Sequence, residues 1–277
     1  MNSDNQEGDF LEEKINKVAQ MIDKAGRIVV FTGAGVSTES GIPDFRSPGG
    51  LWSKFDPDDF TIDKFLNSAK TRQKMWKLLL DGGLMADAAP NAAHLAIAKL
   101  EKIGKLSCVI TQNVDNLHQK AGNDPAHVHE LHGNMQWLIC LECGQKYPLE
   151  LLTKNIPSVD YVPDCKKCGG ILKPDVIFFG EALPQNVLSI ATHESQECDL
   201  FIVIGSSLVV YPAANMPLYA KRSDAGIVII NLGETQQDDI ADVIIDHSAG
   251  DSMTKIMERL KAKGLDARGE AAPHKIS

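Results

Sequence analysis

Five short apolar runs constrain the fold more than any other feature: 27–32, 107–111, 199–204, 226–230 and 243–245. Each is dominated by Val, Ile, Leu or Phe without strict alternation, the pattern of a strand covered on both faces. Helical spacing fills the gaps between them. Leu11, Ile15, Val18 and Ile22 mark a helix over 10–25. Phe65, Leu66, Met75, Trp76 and Leu79 anchor one over 64–80, broken by Asp81-Gly82-Gly83. A third runs over 91–102, with Leu95, Ala98 and Leu100 turned inward and His94 packed in the helix. Further helices are expected over 185–195, 213–221 and 251–263, with a short strand at 128–131. Residues 173–181 are expected to return the chain to the main sheet. Strands alternating with helices predict a parallel sheet with helices on both sides.

In such sheets ligands bind beyond the carboxyl ends of the strands, and the polar clusters of this chain follow its strands. After 27–32 come Gly33, Ala34 and Gly35, whose glycines let the backbone turn tightly and approach a ligand with no Cβ in the way. A second turn leads into Asp44, Phe45 and Arg46. Gln112, Asn113, Val114 and Asp115 follow the next strand, Gly205, Ser206 and Ser207 another, and Asn231 a fourth. These groups suit a dinucleotide. Gly33, Ala34, Gly35 and Arg46 can hold a pyrophosphate, Ser206 and Ser207 a phosphate or ribose, and Asn231 the adenosine ribose. The architecture is thus a Rossmann-like doubly wound α/β sheet. The dehydrogenase fingerprint is incomplete, because Thr38 replaces its third glycine and no acid follows about 20 residues later at a strand end.

Four of the six cysteines form two pairs, Cys140-x-x-Cys143 and Cys165-x-x-Cys168, with 21 residues between them. That is the spacing of a four-thiolate zinc site. It predicts a small zinc ribbon over 134–175, and four thiolates leave no position for a catalytic water. Cys108 and Cys198, in or beside strand-like runs, read as buried apolar fillers. The net charge of −9, from 37 acids against 28 Lys and Arg, argues against nucleic-acid binding. No apolar run approaches the roughly 20 residues that cross a bilayer. The polar, acidic start of the chain lacks the apolar core of a signal peptide, so a cytoplasmic location is expected.

The chain resembles the sirtuin family of NAD-dependent protein deacylases. The likeness rests on Gly33-Ala34-Gly35-Val36-Ser37, Gly41-Ile42-Pro43-Asp44-Phe45-Arg46, Thr111-Gln112-Asn113-Val114-Asp115, His132-Gly133, Phe179-Gly180-Glu181, Gly205-Ser206-Ser207, Asn231 and the four cysteines. It spans roughly 25–260 in order, and bacterial and archaeal members look closest. The resemblance implies a Rossmann-like NAD domain built from 10–46, 90–133 and 176–263. A small domain would comprise a helical insertion, 47–89, and the zinc ribbon, with flexible tails at 1–9 and 264–277.

The same resemblance implies the chemistry. Sirtuins break the nicotinamide–ribose bond of NAD while the oxygen of an acyl-lysine attacks the freed carbon, releasing nicotinamide and O-acyl-ADP-ribose. His132 would be the general base acting on a ribose hydroxyl. Asn113 would hold the ribose and a water, and Asp115 would organise the nicotinamide pocket. Ala34, Asp44 and Phe45 would line that pocket. Arg46 would bind phosphate, and Thr38, Gln112 and Val114 would complete the cofactor shell with Gly205, Ser206, Ser207 and Asn231. Ala249 would touch adenine. The acyl-lysine would enter as an extended strand between the segment after Phe179-Gly180-Glu181 and 207–211. Ile177, Phe179 and Val210 would enclose the lysine stem, although core packing accounts equally well for Ile177. Lys173 departs from the Arg usual before Pro in the family. The segment 76–85 lacks the Tyr-x-x-Arg pair of succinyl-preferring members and offers Leu78, Leu79, Leu80, Leu84 and Met85 instead, which predicts neutral acyl groups. A protein ADP-ribosyltransferase is the alternative activity. A dehydrogenase and a non-enzymatic zinc-ribbon binding module are further rivals.

Overall fold

A computed structural model describes residues 3–80, 88–153 and 162–265. In chain order, helix α1 (Ser3–Lys24) leads into strand β1 (Ile28–Thr32). Helices α2 (Ile62–Asn67), α3 (Ala69–Leu80) and α4 (Ala92–Lys102) precede β2 (Leu106–Thr111). Then come α5 (Leu117–Ala121), β3 (Val128–Glu130), β4 (Gly133–Cys140), β5 (Lys146–Pro148), α6 (Leu149–Thr153) and β6 (Leu172–Val176). The chain closes with α7 (Gln185–Glu197), β7 (Leu200–Ile204), α8 (Met216–Arg222), β8 (Gly226–Ile230), β9 (Val243–Ile245) and α9 (Ala249–Ala262).

Six strands form a sheet in the order β3-β2-β1-β7-β8-β9, with every pair parallel. The chain winds outward from β1 on one side and then from β7 on the other. The order reverses between β1 and β7, which is where such sheets hold ligands. Successive residues of each strand face opposite sides. Ile28 and Val30 join Ile202, Ile204, Val228 and Ile230 beneath α1, α4 and α9. Val29 and Phe31 join Phe201, Val203, Ile227 and Ile229 beneath α7 and α8. This two-sided burial explains the uninterrupted apolar runs.

A second, three-stranded antiparallel sheet has the order β5-β4-β6. Its core joins Leu138, Cys140, Leu172 and Val176 to Phe65, Met75, Trp76 and Leu79 of α2 and α3. The expectation that 173–181 rejoins the main sheet is therefore corrected, because β6 pairs with β4. An apolar run signals a buried strand but not which sheet buries it. The helix expected over 64–80 is broken at Ser68, which is extended at φ −125° and ψ 107°. Ser68 Oγ accepts the Thr71 N–H at 3.1 Å and so starts a new helix. Leu66 and Leu95, expected inward, are 43% and 54% exposed. Helix α1 begins at Ser3, ahead of the apolar periodicity. The predicted helix over 213–221 opens as a 3₁₀ turn, Ala213–Asn215, before α8. The glycine break at 81–83, together with Leu84 and Met85, lies outside the described residues. Among the described residues no helix is long and apolar enough to cross a membrane.

Candidate active site at the rim of the parallel sheet

The loops after β1 and β7 lock together at the point where the strand order reverses. The Gly33 N–H donates to Ile204 O at 3.1 Å and the Gly35 N–H to Gly205 O at 2.9 Å. A Cβ on Gly33 would lie 2.7 Å from Gly205 O, and one on Gly35 would lie 2.8 Å from Gly205 Cα. These glycines therefore serve loop-to-loop packing as well as the tight turn and ligand approach expected of them. Ala34 opens a 3₁₀ turn, Ala34–Ser40, in which Thr38 is exposed and donates to Gly35 O at 3.0 Å.

Beside this turn the loop after β2 supplies its polar groups. Ser37, 1% exposed, donates its hydroxyl to Asp115 Oδ2 at 2.7 Å and accepts from Asn113 Nδ2 at 3.1 Å. Asp115 Oδ1 also caps α5 by accepting the Leu117 N–H at 2.9 Å. The Asn113 amide direction is thereby set by Ser37, whose role no local sequence signal marks. Gln112 Nε2 donates to Ser206 Oγ at 2.8 Å, joining the loops after β2 and β7. Ser206 Oγ also accepts the Leu208 N–H, and Ser207 O accepts the Gln236 N–H at 3.2 Å. Val114 packs toward the core of the smaller sheet, and its carbonyl accepts the Met135 N–H at 3.0 Å.

His132 follows β3 and stands next to this network. Its Nδ1 lies 2.9 Å from Gln112 O. A carbonyl only accepts, so Nδ1 carries the hydrogen and the neutral ring keeps a lone pair on Nε2. Burial lowers the pKa of His132, opposed by the hydrogen bond to Gln112, so the neutral ring persists below the usual histidine range. Gly133 must follow, since its φ is 80° and a Cβ would collide with the Asp175 carbonyl. The His132 carbonyl accepts the Ile177 N–H at 2.9 Å, which ties the imidazole to the entrance of 177–181.

Other predicted residues are placed less simply. The Asp44 carboxylate folds onto its own turn, accepting from the Arg46 and Ser47 N–H groups at 3.0 and 2.8 Å and from Ser47 Oγ. Arg46 is exposed beside it. Phe45, 40% exposed, stacks on Trp52 with ring centroids 5.2 Å apart. Trp52 in turn meets Phe60 at 5.5 Å and Phe179 at 6.0 Å. Trp52 thus links the turn at 44–46 to the loop at 177–181, a role the sequence did not signal. Asn231 Nδ2 donates to Leu232 O and Gly233 O at 3.1 and 3.0 Å, so it shapes its own loop. Ala249, buried, starts α9, where the Gly250 N–H donates to Glu39 Oε1 at 2.8 Å. Ile177 packs against the core under α7 and α8. Gly180 is exposed at φ 88°, Val210 is half-buried, and Glu181 turns its carboxylate to Lys173.

Two buried histidines stand behind the site. His94 caps α4 with Asn91, and its Nε2 lies 3.5 Å from Ser37 Oγ. The packed histidine expected there is found, and it also touches the site's network. His118 Nε2 lies 2.9 Å from Thr32 Oγ1, which donates to Thr111 Oγ1 at 2.8 Å. Burial, and then the neighbouring His94, push the His118 pKa down from 6.5 to about 3. Burial lowers His94 as well. A histidine whose folded pKa is depressed contributes stability above its unfolded pKa, and that stability fades as pH falls through 6.5 toward 3. At about pH 5 the His118 contribution alone is expected to cost roughly 2 kcal/mol relative to neutral pH. Urea unfolding at the two pH values measures it, and equal stability at both would contradict the buried neutral ring.

Four cysteines meet at the far end of the smaller sheet. Their Sγ atoms all lie within 4.8 Å of one another, with Cys140–Cys168 at 3.5 Å and Cys143–Cys165 at 3.7 Å. A tetrahedron of thiolates about 2.3 Å from zinc has edges near 3.8 Å, so the cluster fits that ion. Four protein ligands fill such a site, which makes it structural.

The Sir2 family matches residues 33–212. The chain belongs to the Sir2 family. This sirtuin is 46% identical over 254 residues to "NAD-dependent protein deacetylase 1" of Pyrobaculum aerophilum, covering 91% of this chain and 97% of that relative. It is also similar to a solved Sir2–p53 peptide–NAD+ complex, with a TM-score of 0.80 and 40% identity over 89% of this chain and 98% of that one. A structure of Sir2Tm bound to a propionylated peptide matches with a TM-score of 0.79 and 40% identity, covering 91% and 99%.

Proposed function

We propose that this sirtuin is an NAD-dependent protein lysine deacetylase that transfers the acyl group to ADP-ribose and releases nicotinamide. The observation that carries the reading is the placement of His132. Its Nδ1–H is spent on Gln112 O, its Nε2 is free to accept a proton, and its own carbonyl holds the first residue of 177–181. One imidazole thus joins the dinucleotide rim to the acyl-lysine entrance.

The remaining roles follow from the same rim. Asn113, oriented by Ser37, would hold the nicotinamide ribose, and Asp115 would keep that pair in register. Gly33, Ala34, Gly35, Thr38, Gln112, Val114, Gly205, Ser206 and Ser207 would surround the phosphates and ribose, with Arg46 the cation at the mouth. Asn231 and Ala249 would take the adenosine end. Phe45, Asp44 and Ala34 would close the nicotinamide side. The NAD domain would comprise 10–46, 90–133 and 176–263, and 47–89 with 134–175 would form the smaller one. The acyl-lysine peptide would lie extended between the segment after Phe179-Gly180-Glu181 and 207–211, with Phe179 and Val210 beside the lysine stem and Ile177 beneath it. The Phe179 N–H already donates to Phe60 O, and its carbonyl accepts the Ile62 N–H, both at 3.0 Å. Peptide pairing would therefore begin beyond Phe179. Backbone pairing of this kind reads few side chains, so sequence selectivity should be modest. Six free cysteines, four of them gathered for a metal, fit a reducing cytoplasm. No nucleic-acid partner is proposed.

Incubating the protein with NAD and an acetyl-lysine peptide tests the reading, with nicotinamide followed by chromatography and the peptide by mass. Free lysine and O-acetyl-ADP-ribose are expected. An ADP-ribosylated protein product without deacetylation would move the assignment to a transferase, and growing NADH absorbance to a dehydrogenase. Acyl preference makes a separate prediction. Helix α3 turns Met75, Trp76 and Leu79 into an apolar core, and its Arg72 is committed to the Phe65 and Leu66 carbonyls. Its lysines, Lys70, Lys74 and Lys77, are exposed and lie off that apolar face, and the helix has no tyrosine, so a succinyl carboxylate would find no Tyr–Arg pair there. Acetyl-lysine is expected to outperform succinyl-lysine by roughly ten- to a hundredfold in kcat/KM, from an unpaired polar group costing about 1–3 kcal/mol. A faster succinyl reaction would overturn this.

A further inference from the structure

Three successive side chains in the loop after β6 leave in three directions. Ile177 joins the core of the parallel sheet, Phe178 the core of the smaller sheet, and Phe179 stands 46% exposed beside the Trp52 ring. Backbone chemistry does not by itself choose which of two adjacent phenylalanines is buried. An ion pair between buried Lys173 and half-buried Glu181 sits on the observed arrangement. Lys173, 3% exposed, places Nζ 2.9 Å from Glu181 Oε2, against the Val176 carbonyl, and 4.5 Å from the centroid of the Phe178 ring. The same Glu181 oxygen accepts the Phe178 N–H at 2.6 Å. One ammonium and one carboxylate therefore grip the loop at its start, middle and end.

The start of that loop is also the backbone of the imidazole. Val176 pairs with Gly133, and the Ile177 N–H reaches His132 O at 2.9 Å. We infer that Lys173 and Glu181 form a positioning clamp that holds the loop 177–181, which delivers the peptide-pairing backbone beyond Phe179, in register with His132, so that the clamp governs acyl-peptide affinity and not NAD affinity. The inference rests on the deacetylase reading. It reassigns Glu181 from a peptide contact to a brace. It also accounts for a lysine in this chain at 173. A compact ammonium can direct its donors separately at a carbonyl and a carboxylate while lying over a ring, whereas a planar guanidinium spreads its donors in one plane.

Removing Lys173 alone would strand a half-buried carboxylate and endanger folding. The test therefore uses the neutral pair Lys173→Met with Glu181→Gln, in which the Gln oxygen still accepts the Phe178 N–H, alongside the conservative Lys173→Arg. Thermal unfolding confirms that each is folded, calorimetry measures NAD affinity, and anisotropy measures a fluorescent acetyl-lysine peptide. The neutral pair is expected to raise the peptide Kd by about tenfold or more, the scale of a misplaced binding segment. NAD affinity should stay within about twofold, and Lys173→Arg should recover part of the peptide affinity. A folded neutral pair with wild-type peptide affinity overturns the clamp alone. So does parallel loss of NAD and peptide affinity, which marks a merely structural pair. Wild-type protein that bound no acetyl-lysine peptide would overturn the deacetylase reading and the clamp with it.

Discussion

Replacing His132 with alanine is expected to lower kcat/KM for deacetylation by about 10²- to 10⁴-fold, the contribution of a positioned general base. NAD binding should survive, because Gln112 keeps its bond to Ser206 and the Gly33–Ile204 and Gly35–Gly205 bonds do not involve the ring. The cavity left by a half-buried imidazole is also small compared with the cores on either side of the sheet. The wild-type pH profile supplies a second readout. The base works only while neutral, and burial holds its pKa below the ordinary 6.5. The acid limb of kcat/KM should therefore have its midpoint below 6.5 and vanish in the variant. A variant that kept wild-type turnover would remove His132 from the reaction. One that lost NAD affinity in step with activity would show that the ring builds the pocket instead.

Stripping the metal from the four-cysteine cluster is expected to unfold the smaller sheet and its helices. Structural zinc in small domains supplies about 10–16 kcal/mol of folding free energy. Here the cluster is continuous with the core, because Cys140 and Cys165 pack in the same apolar group as Leu138, Leu172, Phe65 and Trp76. Cys140 also ends β4, the strand that pairs with both β5 and β6. Loss of that corner should release β6 and, through Val176 and Gly133, disturb the approach to His132. Chelation or Cys140→Ser should therefore abolish activity together with the native fluorescence of Trp76, which is wholly buried. Chelated protein that stayed folded but inactive would point instead to a metal with a direct part in the reaction. Chelated protein that stayed folded and active would show the cluster to be dispensable.

The parts of the fold legible in the sequence are those in which one residue type has one physical meaning. The uninterrupted apolar runs of β1, β2, β7 and β8 imply burial on two faces, and the structure covers both. Cys140, Cys143, Cys165 and Cys168 declare a common ligand by spacing alone, and their sulfurs converge. The helix expected over 91–102 starts there, because the Asn91 side chain accepts the Ala93 and His94 N–H groups.

What the tertiary structure alone decided is which distant groups meet. Ser37 and Asp115 are 78 residues apart in sequence, yet one hydroxyl joins them and orients Asn113. Gly33 and Gly35 look like ligand glycines until Gly205 is seen against them. Whether β6 belongs to the parallel sheet or to β4, and whether Leu66 and Leu95 face in or out, depends on neighbours that apolar periodicity cannot name. The sequence by itself determined the strands of the parallel sheet, the metal ligands and the family motifs, because each is a local or compositional property. The network around His132, the aromatic bridge through Trp52 and the Lys173–Glu181 clamp came only from the packed structure. Hydrogen bonds and ring contacts of that kind are short-ranged in space, and nothing in linear order encodes the distance between their partners.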